Sequence, residues 1–105
     1  MNKTVFEFAL VMQEKLDDNA DKGGWEDTSF GYLLERLEEE IEELKNAIKG
    51  KSSAFDISRE CADVANFAMM ISDNITREEV KAEQARRREA DDMLERIRQV
   101  LEGDK

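Results

Sequence analysis

The sequence predicts an all-α protein: a four-helix antiparallel bundle, completed by oligomerisation. Three observations predict it. Proline is absent and only 5 of the 105 residues are glycine, so little interrupts a helix. Apolar residues make up 40% of the chain and recur at intervals of three and four rather than two. Segments rich in turn-forming residues are few and short.

The first helix is expected from about Lys3 to Asn19, with Val5, Ala9, Met12 and Leu16 on one stripe and Phe6, Phe8 and Leu10 widening it. "DNADKGGWEDT" breaks that pattern and reads as a loop. Asp27 or Thr28 would cap a second helix running to about Lys49 and stopping at Gly50. Its stripe is Leu33, Leu37, Ile41, Leu44 and Ile48. Ser53 and Asp56 form a variant capping box for a third helix, from about Ala54 to Asn74. Thr76 and Glu79 form a second box, which would start a fourth helix ending near Glu102. Short connections favour antiparallel neighbours. The third helix is apolar over most of its circumference, so it is placed centrally, and residues 1–105 read as a single domain. A chain this small can hardly surround such a helix alone, hence the expectation of at least a dimer.

Composition narrows the chemistry. A net charge of -10 repels nucleic acid and anionic membrane surfaces, so neither is expected as a partner. No apolar run approaches the roughly 20 residues that span a bilayer. The N-terminus lacks the pattern of a cleaved leader, and the single cysteine, Cys61, has no intramolecular partner. The cytoplasm is the expected location. Histidine is absent, which removes catalytic triads and imidazole metal sites. Chemistry must rest on carboxylates, Lys or Arg, hydroxyls or a metal.

One pattern stands out in "ECADVANFAMMI", residues 60–71. Glu60, Asp63 and Asn66 form a narrow polar strip on an otherwise apolar helix, each step turning about 60° back round the axis. A buried carboxylate without a partner costs several kcal/mol, and this helix supplies no Lys or Arg within the apolar stretch. On the second helix, Glu40 and Glu43 flank the apolar seam one turn apart. Placing them opposite Glu60 and Asp63 would make four converging carboxylates. These would need divalent cations between them, and an all-oxygen set suits Mg²⁺ or Mn²⁺. The bland alternative is a solvated acidic face, with Asp63 setting helix register.

The same residues carry a family resemblance. "EEIEEL" at 39–44 and "ECAD" at 60–63, with sixteen residues between Glu43 and Glu60, resemble the EExxE…ExxD signature of MazG-like nucleotide pyrophosphohydrolases. The likeness extends over roughly residues 20–75. It implies a Mg²⁺-dependent hydrolase that takes a nucleoside triphosphate to the monophosphate and pyrophosphate, through attack of water at the α-phosphorus. It also implies a homodimer or homotetramer of helical subunits. Carried over, Glu40, Glu43, Glu60 and Asp63 would bind metal. Glu39 would be a further ligand or position the attacking water, and Glu39 or Glu43 would accept its proton.

Other residues have two readings each. Trp25 would stack on a base or pack against the bundle end. Lys22 would reach phosphates or stay solvated. Asn66 would bind substrate or metal-bound water, or bond between helices. Arg86, Arg87 and Arg88 would meet phosphate or form ion pairs such as Glu83–Arg87. Two functional alternatives remain: a non-enzymatic interaction protein with solvated acidic faces, and a nucleotide-binding relative without activity.

Overall fold

In the computed structural model, residues 1–103 are described, and all of their regular structure is helical. Helix α1 is Lys3–Asp18, α2 is Phe30–Lys49 and α3 is Ala54–Gly103, with a 3-10 turn at Ala20–Lys22 between the first two. No helix among the described residues is long and apolar enough to cross a membrane.

Local chemistry sets the helix ends. Asn2 Oδ1 accepts from the Thr4 and Val5 amides at 2.8 and 3.2 Å and starts α1. The cap of α2 is Ser29, whose Oγ accepts from the Tyr32 amide at 3.2 Å, and not Asp27 or Thr28. The first helical bond runs from the Leu33 amide to Ser29 O, whereas Thr28 O accepts from Asn74 Nδ2, so helical bonding begins beyond Thr28. At the far end, Gly50 lies in ordinary backbone space and Lys51 takes the left-handed conformation, φ 55°. The Ser52 amide bonds Ala47 O and the Lys51 amide bonds Ile48 O, a Schellman closure. Ser53 Oγ accepts from the Asp56 amide at 3.1 Å as α3 begins.

The main departure from expectation is α3. It is one helix of 50 residues, so the described residues form three α-helices and not four. Thr76 and Glu79 open no new helix. Neither Gly nor Pro interrupts residues 72–79, and continuing a helix adds a hydrogen bond per residue, whereas restarting one requires a new nucleus. Asn74, the polar residue best placed to end the helix, sends its amide elsewhere: Nδ2 donates to Trp25 O at 2.9 Å and to Thr28 O at 3.4 Å.

Packing divides the chain into two units, Met1–Asn74 and a second beginning at Ile75. In the first, Asp18 and Glu14 meet Arg59, Lys15 meets Asp63, and Asn66 Nδ2 donates to Met12 O. Moving down α1 therefore moves up α3, and the two are antiparallel. Arg36 stacks on Phe67 and Glu40 lies beside Asp63, so α2 is antiparallel to α3 as well. It follows that α1 and α2 run in the same direction, unlike the alternation expected from short connections. Segment 19–29 makes this possible by returning the chain along the bundle, from the level of Arg59 to that of Asp73 and Asn74.

The hydrophobic core of this unit is small. Leu33 and Ala62 are its fully buried apolar residues, whereas Val5, Phe6, Leu10, Leu34 and Ile48 are at least half exposed. The second unit is the remainder of α3. Within it Arg86 bonds Glu79 and Glu83, and Arg87 bonds Glu83, the ion-pair arrangement.

Asn74 is buried and ties the return segment to α3. Asn74→Ala is expected to lower the unfolding free energy by about 1–3 kcal/mol and to red-shift the emission of Trp25, the chain's single tryptophan. Urea unfolding followed by fluorescence measures both. An unchanged midpoint and spectrum would show that this tie does not hold the segment.

Candidate functional site

Helices α2 and α3 meet along the acidic strip. Glu40, Glu60 and Asp63 each present one carboxylate oxygen, and the three lie within 4.8 Å of one another. Glu40 is only 5% exposed; Glu60 and Asp63 are half-buried. Glu43, more exposed, stands within hydrogen-bonding reach of both Glu40 and Glu60. The spacing explains the meeting. Glu40 and Glu43 are one turn apart on α2, Glu60 and Asp63 one turn apart on α3, and antiparallel packing sets the pairs face to face.

Such a cluster is electrostatically strained. Burial, reinforced by the hydrogen bond and charge of Glu43 and the charge of Asp63, pushes the Glu40 carboxyl up to about 7, against the opposing pull of Arg36. Burial also raises Glu60, helped by the charges of Glu43 and Asp63 and opposed by Lys15. Two carboxylates can share a hydrogen bond only while one holds a proton. Once both are ionised, Glu40 Oε2 and Glu60 Oε2 are buried acceptors with no donor.

Two cations partly offset the charge, and both come from outside the acidic strip. Lys15 on α1 lies 3.3 Å from Asp63 Oδ2, with both side chains about four-fifths covered. Arg36 on α2 lies 2.9 Å from Glu40 Oε1 and also bonds Glu39. The sequence carries a sign of Lys15: it follows Phe8 and Met12 on the inward stripe of α1, where a charge needs a partner. Arg36 had a similar signal, lying one turn before Glu40. Neither was singled out from the sequence.

Glu39 is not brought to the cluster. Its side chain is half exposed and pairs with Arg36 on the outer side of α2.

Beside the carboxylates is a cavity of about 940 Å³. Glu40 and Asp63 line it, together with the cations Lys15, Lys22 and Arg36 and the aromatic rings of Trp25, Tyr32 and Phe67. Lys22 and Trp25 reach it because segment 19–29 contributes to its wall. Trp25 is held by its indole N–H, which donates to Asp73 Oδ2 at 2.9 Å. Asn66, also on the wall, is buried; Nδ2 donates to Met12 O at 3.1 Å, and Oδ1 has no partner. Its hydrogen bond runs between helices, and its other polar atom is spare. Tyr32 and Phe67 were missed in the sequence because nothing in helical periodicity distinguishes a ring facing a cavity from one facing the core.

The donor set fits a divalent cation. It is all oxygen, it carries excess negative charge, and two of its oxygens are buried without a donor.

The raised Glu40 carboxyl has a pH signature. Its ordinary value is 4.5 and its folded value about 7, so between these the folded chain holds the proton more tightly than the unfolded chain does. Stability from this group is therefore present below about pH 4.5 and lost as pH rises through about 7. The loss is on the order of 3 kcal/mol, and Glu60 adds to it in the same direction. Without added metal, urea midpoints should fall across this window, and Glu40→Gln should flatten the fall. A midpoint that rises from pH 5 to 8 would contradict the assigned environment.

Comparison with protein-family models, with curated proteins and with solved structures finds no match for this chain.

Proposed function

We propose that the protein is a Mg²⁺-dependent nucleoside triphosphate pyrophosphohydrolase, converting (d)NTP and water to (d)NMP and pyrophosphate. The observation that carries the reading is the convergence of Glu40, Glu60 and Asp63 within 4.8 Å, two of them on the wall of a cavity that also bears three cations and a tryptophan. An acidic set supplies a place for hard cations. Basic and aromatic groups a short distance away supply contacts for polyphosphate and base.

Glu40, Glu60 and Asp63 would hold the cation, with Glu43 completing the set. Mn²⁺ suits the same donors. When bound, the metal supplies charge neutralisation for phosphate and acidifies water. The chain's own residues do the rest. Lys15, Lys22 and Arg36 attract the triphosphate, which the chain's net charge of -10 would otherwise repel. Trp25, fixed by Asp73, offers a flat face for the base. Glu43 is the residue placed to accept the proton of the attacking water, being near the cluster yet accessible to solvent. Glu39 serves to orient Arg36 and makes no contact with the cluster. The reading includes assembly as a homodimer or homotetramer in the cytoplasm. Val5, Phe6, Leu10, Leu34 and Ile48 are apolar surface that assembly can cover.

Two measurements test it. Millimolar Mg²⁺ or Mn²⁺ at pH 8 should raise the melting temperature, since a site filled to 100 times its Kd stabilises by about 2.7 kcal/mol and each kcal/mol moves a domain of this size by roughly 4–8 °C. Asp63→Asn should abolish the shift. A panel of NTPs and dNTPs scored for pyrophosphate release should show metal-dependent turnover, and Glu60→Gln should cut it by on the order of 10²–10³. Absence of turnover across the panel, with no thermal shift, would end the reading. A shift without turnover would leave a nucleotide-binding or metal-binding protein.

A further inference from the structure

The second unit poses a separate question. Among its described residues, 75–103, all but Glu83 are exposed. Met93, Leu94, Ile97, Val100 and Leu101 are more than half exposed, though an isolated helix in water keeps such residues in contact with solvent at a free-energy cost.

Their spacing is regular. Ala90, Leu94, Ile97 and Leu101 follow one another by four, three and four residues, which is the seam of a coiled coil. On one flank, about 80° from the seam centre, lie Met93 and Val100; on the other, at a similar angle, lie Asp91 and Arg98. One flank is thus apolar and the other charged, with one residue of each sign.

This asymmetry chooses both the partner and the direction. When two copies of a helix pair in parallel, the left flank of one faces the right flank of the other, so Met93 and Val100 would meet charged side chains. When they pair antiparallel, each flank faces its own kind. Leu94 then packs against the partner's Ile97, and Ala90 against the partner's Leu101. Met93 meets the partner's Val100, and Asp91 meets the partner's Arg98. Every contact occurs twice by symmetry. A membrane surface suits this helix less well: Asp91, Asp92, Glu95 and Glu102 oppose anionic lipid, and residues 75–103 contain no Trp or Phe.

We infer that residues 90–101 are a self-association surface, which pairs antiparallel with the same segment of a second copy. Arg98 already bonds Glu95 at 2.7 Å, an exposed pair within one helix that leaves the guanidinium free to serve both carboxylates.

The test uses the full chain and no nucleotide, so its outcome is independent of the proposed activity. Asp91→Arg places two guanidinium groups against each other in a homodimer, and Arg98→Glu places two carboxylates against each other. Each variant alone should dissociate at concentrations at least tenfold above those at which the parent does, by sedimentation equilibrium. Mixed one to one, they should recover the parental association. In the mixed dimer the two substituted positions face each other with opposite charge, and the unsubstituted Asp91 of one chain meets the unsubstituted Arg98 of the other. Both sites are on the surface, so circular dichroism should report unchanged helix content. A parent chain that is monomeric up to 100 μM would overturn the inference. So would association that neither variant weakens, or association that mixing does not restore.

Discussion

The placement of four carboxylates across the α2–α3 contact is the constraint on which the rest of the first unit depends. Three of their oxygens come within 4.8 Å, so hydrophobic packing must hold together surfaces that charge drives apart. The available packing is modest, with Leu33 and Ala62 alone fully buried. Lys15 and Arg36 close part of the gap, one from α1 and one from α2 itself. The remaining strain is stored as protons, since Glu40 stays protonated up to about pH 7. Were a cation to bind such a cluster, it would displace those protons, and binding would be linked to folding.

The cavity beside the cluster owes its existence to chain direction. Had α1 and α2 alternated, a tight turn would have joined them and nothing would have lain across the bundle. Because they run the same way, segment 19–29 must travel back along the bundle, bringing Lys22 and Trp25 to the cavity that Glu40 and Asp63 also line. Asp73 and Asn74 fasten that segment through Trp25. Gly23, with φ 84°, allows the backbone turn that delivers it, since such a conformation is strained for residues with a Cβ. Side chains at the level of residue 74 thus shape a site whose acidic groups lie at 60 and 63.

Much of this was legible in the sequence. Periodicity located α1 and α2 to within a residue or two at most ends, because amphipathic stripes and Gly or Ser punctuation are local signals. The acidic strip was visible because helical geometry is nearly invariant: residues three apart share a face wherever the helix goes. Two errors share one cause. Thr76 with Glu79, and Asp27 or Thr28, have the chemistry of caps, but a cap forms only if its backbone neighbours are free. Asn74 Nδ2 is committed to Trp25 O and to Thr28 O, the carbonyl that a cap at Thr28 would need, through contacts distant in sequence.

By itself, then, the sequence determined the helical class, the faces of α2 and α3 that carry carboxylates, and the absence of imidazole chemistry, since these follow from residue identity and the pitch of a helix. Only the tertiary structure decided that α3 is unbroken over 50 residues, that α1 and α2 share a direction, and that Lys15 and Arg36, not a second acidic pair alone, face the strip. Those outcomes depend on contacts between residues up to some fifty positions apart, such as Asn66 with Met12 and Asn74 with Trp25. Such contacts depend on how whole helices pack, which no local pattern encodes.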